Sequence, residues 1–147
     1  MMDEKTRLDL LKSEYLHIQG VIESFDSRVL SIKTWSVTTG LTGIGAAFST
    51  HSKHVLLLAT LSSLIFWYIE GRWKTFQYAY NYRARRIEDY FAGAEPDLIP
   101  MQIARDWRGD LSLLRTMRQL HVALPHAFVA LTGAILYLLS LVRILAL

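Results

Sequence analysis

Residues 8–50 read LDLLKSEYLHIQGVIESFDSRVLSIKTWSVTTGLTGIGAAFST, and the fold turns on how this stretch changes character partway along. Up to Lys33 the apolar residues Leu8, Leu11, Tyr15, Ile18, Ile22, Phe25, Val29 and Ile32 follow alternating steps of three and four. That is a heptad seam, the pattern of an oligomerising coiled coil. Gly20 is its weak point, at about 1 kcal/mol against alanine. No Pro or Gly interrupts Lys33-Thr34-Trp35, so one helix is predicted from about residue 3 to about residue 48. Its length is on the order of 70 Å. Carried past residue 35, the same register puts Ser36, Thr39, Gly43, Ala46 and Thr50 on the seam. Small and hydroxylated side chains replace the apolar knobs. In lipid such a face permits close helix packing, and it equally suits a narrow polar conduit.

The charge distribution fixes the class. No Asp, Glu, Lys or Arg occurs from Trp35 to Ser52, from Val55 to Ile69, or in the 24 residues between Arg118 and Arg143. The last run alone exceeds the roughly 20 residues that cross a hydrocarbon core, and the first two fall slightly short. The competing reading buries these runs as core helices of a soluble protein. The fold class expected is an all-α membrane protein with three transmembrane helices, the first two extended as a long cytoplasmic helical hairpin. Its parts are a heptad helix over 1–34, a transmembrane hairpin over 35–70 with an external turn at 51–54, cytoplasmic helices and a connector over 71–122, and a third span over 123–147.

Orientation follows from the sixteen basic residues. Lys5, Arg7, Lys12, Arg28 and Lys33 precede the first span. Arg72, Lys74, Arg83, Arg85, Arg86, Arg105, Arg108, Arg115 and Arg118 lie between the second and third. Only Lys53 and Arg143 fall on the other side, which places the N-terminus in the cytoplasm and the C-terminus outside an inner membrane. The net charge of +3 is mostly this asymmetry. Residues 1–33 lack the apolar core and cleavage site of a signal peptide.

Helical spacing through Phe66, Ile69, Trp73, Phe76, Tyr80, Ala84, Ile87 and Phe91 carries the second helix to about Phe91, where Ala92-Gly93 and Pro96 end it. Residues 94–109 form a connector with a short helix predicted around 101–107. Asp110 is placed to cap the next helix, and Pro125 marks a kink or a fresh helix start.

Chemistry-bearing motifs are few. Gly43-Ile44-Gly45 imitates a dinucleotide loop, but it lacks the preceding strand and the third glycine. The five histidines form no metal-ligand spacing, and cysteine is absent. No nucleophile–base pair stands out in the linear sequence, so neither catalysis nor a cofactor nor a metal is expected. The stretch Arg72–Arg86 interleaves basic and aromatic residues, the mixture that holds phosphates while stacking bases. Arg72, Trp73 and Lys74 read as headgroup anchors. Arg83, Arg85 and Arg86, with Tyr80 and Tyr82, lie about 20 Å beyond Ile69. There they read as ligand-binding residues or as partners of Glu14, Glu23 and Asp26. The spans lack charge, with Glu70 at the interface, which argues against an ion-coupled pump but permits a passive pore.

The stretches Trp35–Phe48 and Phe66–Tyr80 resemble the membrane-effector family of the Hailong anti-phage defence system, small bacterial membrane proteins encoded beside nucleotidyltransferases. The resemblance covers roughly residues 8–92. It implies a homo-oligomeric channel, a tetramer favoured, held closed by a nucleotide or short single-stranded DNA ligand made by a nucleotidyltransferase partner. The alternative is a non-conducting anchor or scaffold that recruits a cytoplasmic protein.

Overall fold

The structure, a computed structural model, describes residues 3–107, 112–142 and 144. Its described residues are all-helical and contain no strand. Four helices follow one another: α1 (Glu4–Thr50), α2 (Lys53–Phe91), α3 (Leu113–Met117) and α4 (Leu120–Leu141). They contribute to two compact units, one of residues 1–27 and 73–112, the other of residues 28–72 and 113–147.

The helix ends follow from local chemistry. Asp3 caps α1, its Oδ1 accepting from the Thr6 N–H at 2.8 Å. At the C-terminus of α2, Gly93 adopts φ +80°, and the N–H groups of Gly93 and Ala94 bond back to Tyr90 and Asp89. This is a Schellman stop, and it needs the left-handed residue that glycine supplies without strain. The turn between α1 and α2 is the tighter pair His51-Ser52, since α2 begins at Lys53 rather than after residue 54. There His51 takes φ 53°, a conformation that costs a residue with a Cβ about 1 kcal/mol or more. His51→Gly is expected to raise the unfolding midpoint by about 2 °C, read by circular dichroism at 222 nm.

The first unit packs α1 and α2 side chains with the connector. Leu11, Ile18, Ala84, Ile87 and Leu98 form its buried core, flanked by Tyr15, Ile22, Tyr80, Tyr90 and Ile103. Phe25 stacks at 5.3 Å on Trp73 and at 5.8 Å on Tyr80. Val29 and Ile32 are buried in the second unit, and Leu8 is 37% exposed. The heptad face is therefore filled within one chain, where the sequence reading gave it to neighbouring copies. The helix predicted around 101–107 is replaced by turns. Met101 takes φ 60°, which a right-handed helix excludes, and its N–H goes to the Glu14 carboxylate at 2.8 Å. The expected cap at Asp110 lies outside the described residues.

In the second unit small residues set the helix spacing. A Cβ on Gly40 would stand 2.2 Å from Val129 Cγ1, and one on Gly133 would stand 2.5 Å from Thr60 Oγ1. Side chains of the facing helices fill the space that a Cβ would take at both glycines. Pro125 lies inside α4, which runs on through it. Outward, α4 presents Leu124, Phe128, Leu131, Ile135 and Leu138, all more than half exposed, and α2 presents Leu57, Leu58, Leu61, Leu64 and Ile65. α2 and α4 are long and apolar enough to cross a bilayer, and only 28% of the span window in each is buried. The uncharged part of α1 is diluted by Ser, Thr and Gly and does not reach that apolarity.

Candidate functional site

Four polar side chains meet inside the second unit, each almost fully hidden: Ser36 of α1 (1% exposed), Ser63 and Glu70 of α2 (both 0%) and His126 of α4 (0%). Seven residues separate Ser63 from Glu70, which is two helical turns and one face. His126 is held at both ring nitrogens, with Ser36 Oγ 2.7 Å from Nδ1 and Glu70 Oε2 2.9 Å from Nε2. Ser63 donates to the His126 carbonyl at 2.9 Å and lies 3.4 Å from Ser36 Oγ.

Ser36 Oγ and Glu70 Oε2 bracket the imidazole, and the 2.7 Å contact of Ser36 with the ring is the strong one, since 3.4 Å to Ser63 is long. Lys33, one turn before Ser36 on α1, lies 3.3 Å from Glu70 Oε1 and donates to the His121 carbonyl at 2.8 Å. That carbonyl is the one Pro125 leaves without its helical donor, because proline carries no N–H. The proline, the lysine and the carboxylate are thus one arrangement.

Hydroxyl, imidazole and carboxylate in series resemble the order of an acyl-transfer triad. The surroundings do not support that chemistry in this conformation. Ser36 is 1% exposed within an unbroken helix, whose backbone N–H groups are used by the helix itself and leave no oxyanion donors beside it. What the cluster does supply is a buried, ionisable tie among three helices. The linear sequence does not bring this hydroxyl and imidazole together, because the contacts of the cluster span 56 and 90 positions of chain. Glu70, expected at the membrane interface, turns its carboxylate in among the helices.

The residues expected to line a conduit separate into two sets. Ser36 and Gly43 turn inward, Gly43 lying where an added Cβ would be 2.9 Å from Ala59 Cβ. Thr39 and Thr50 are exposed and Ala46 is half-buried. Beside Thr39 the exposed face of α1 continues as Thr38, Thr42, Gly45 and Ser49, at helical spacing.

The expected ligand residues lie in the first unit and also separate. Arg83, 1% exposed, bonds Glu14 through Nε (2.9 Å) and Nη2 (3.0 Å), Asp106 through Nη1 (2.5 Å), and the Ile99 carbonyl. Arg86 bonds Asp106 and Glu95. Tyr80 packs edge-on against Trp107 at 5.3 Å, Tyr82 is half-buried, and Arg85 is exposed. Of the acidic alternatives, Glu14 pairs with Arg83, and Asp26 pairs with Lys74 at 3.0 Å. Asp106 and Glu95, on the connector, were not foreseen.

The Arg86 hydrogen bond holds the Glu95 carboxyl below the usual carboxylate range. A depressed value means a contribution present above about pH 4 and lost as pH falls through the folded-state value. The connector is expected to loosen as pH falls below about 4, read as a drop in Trp107 fluorescence anisotropy and faster proteolysis. Glu95→Gln should remove most of that step. Asp3, lowered by its Thr6 bond, retains its own.

Comparison with family models, curated proteins and solved structures gives no match.

Proposed function

We propose that this chain is a three-span bacterial inner-membrane effector that conducts ions as a homo-oligomer, with the N-terminus cytoplasmic and the C-terminus external. The observation that carries the reading is a contrast of outward faces in the second unit. α2 and α4 present leucine, isoleucine and phenylalanine, whereas α1 interleaves Thr38, Thr42, Gly45 and Ser49 with Leu41 and Phe48. Leaving the five exposed α4 residues in water forgoes on the order of 10 kcal/mol of burial, so lipid suits that face. The hydroxyl face of α1 suits the axis of an assembly instead, where several copies enclose a polar path. A tetramer is the favoured size.

The resemblance to Hailong effectors supplies the proposed context: anti-phage defence, with a nucleotide or short single-stranded DNA from a nucleotidyltransferase holding the channel shut. With Arg83 and Arg86 paired inside the first unit, the ligand surface is proposed to centre on exposed Arg85 and on Tyr82. The test is planar-bilayer recording of the purified chain with and without short oligonucleotides. Unitary currents are expected without them, and Thr42→Leu with Ser49→Leu should abolish the currents at unchanged oligomer mass. Membranes silent in both conditions overturn the channel and leave the non-conducting anchor.

A further inference from the structure

We infer that Glu70, with the His121 carbonyl freed by Pro125, forms a binding site for a monovalent cation, and that the Lys33 ammonium occupies it as a tethered stand-in. Three observations meet there. Glu70 is 0% exposed, and its Oε1 carries no hydrogen bond, while Oε2 is taken by His126. The His121 carbonyl has lost its helical donor to Pro125 and points its lone pairs at Lys33 Nζ, 2.8 Å away. Lys33 itself is 24% exposed, on a flexible four-carbon stem, so its ammonium has a route to solvent that Glu70 lacks.

The chemistry selects the ion. One carboxylate oxygen and a backbone carbonyl are hard oxygen donors, suited to Na⁺ or K⁺ and not to metals that prefer nitrogen or sulfur. One negative charge balances one positive charge, as the ammonium does now, and a divalent ion would exceed the charge of the single carboxylate. Among the described residues, Lys33 from α1 and His126 from α4 pair with the Glu70 carboxylate: His126 holds Oε2, and Oε1 faces the Lys33 ammonium. Exchange of Lys33 for a cation would make the site an ion-dependent latch among α1, α2 and α4.

This extends the reading of the second unit as a channel, yet the two fail separately, because binding is read from stability and conduction from current. Full-length Lys33→Ala in detergent is melted in KCl, NaCl and N-methyl-D-glucamine chloride at equal ionic strength. The midpoint is expected to be at least about 3 °C higher in KCl or NaCl, because a small ion replaces the lost ammonium. Wild type, whose site is already filled, should melt alike in all three salts. Lys33→Ala with Glu70→Gln should fold and lose the preference, since no charge then needs a counter-ion. A Lys33→Ala protein that melts alike in all three salts, or fails to fold in any, overturns the site. So does an equal preference in the double variant.

Discussion

Arg83→Met is expected to lower stability by about 3–5 kcal/mol and the unfolding midpoint by about 10 °C or more. Arg83 is 1% exposed, and its guanidinium stands between the Glu14 and Asp106 carboxylates. Removing it leaves the buried Glu14 carboxylate with no counter-charge, while Asp106 keeps Arg86. The loss is larger than the worth of the ion pair itself, because desolvation of Glu14 remains uncompensated. Arg83→Lys is expected to rescue little, since one ammonium cannot reproduce the two-pronged contact with Glu14 and the bonds to Asp106 and the Ile99 carbonyl together. Adding Glu14→Leu and Asp106→Asn to Arg83→Met should return at least half of the loss, since an apolar replacement needs no charge partner. Protease digestion gives a second readout. The connector is tied down through Ile99, Met101 and Asp106, so cleavage within 96–107 should accelerate first. If Arg83→Met melts within about 1 °C of wild type, the guanidinium is not the keystone described.

The long helices were legible because their signals are local. Runs without charge, the seam from Leu11 to Ile32 and the stop at Gly93 each act within a few residues of where they are read. The seam residues were correctly singled out as needing burial, but a heptad pattern does not say which surface supplies the partner. Here α2 and the connector supply it, with Ala84, Ile87 and Leu98 filling the space. The connector was misread for the same kind of reason. Helical propensity around 101–107 is overridden by the left-handed backbone at Met101, whose N–H is held by Glu14, 87 positions away. The one advance clue to the buried site was Pro125 beside His126, since an interior proline always frees a carbonyl that something must satisfy. Glu70 followed Ile69 directly and so read as a boundary residue. Only the packing of α4 shows that its carboxylate turns inward onto an imidazole.

That inward turn leads to the second large effect. His126→Leu is expected to cost about 3 kcal/mol or more, because Glu70 loses its partner at Oε2 and keeps only the Lys33 ammonium 3.3 Å from Oε1, with no hydrogen bond there, and Ser36 loses its ring partner. The serine can recover by bonding the carbonyl four residues back, as helical serines do. Glu70 cannot, and its charge is what makes the loss large. Pairing His126→Leu with Glu70→Met removes the stranded carboxylate, and Lys33 can then extend to water. The double variant should therefore regain most of the midpoint that the single variant loses. If the cluster only holds the helices together, the repaired protein should also conduct as wild type does in planar bilayers. If its charge belongs to an ion path, the double variant should fold, assemble and stay silent. The proposed function sets the path on the exposed α1 face and so expects the first outcome, whereas a stable, silent double variant would put the charge of the cluster in the path.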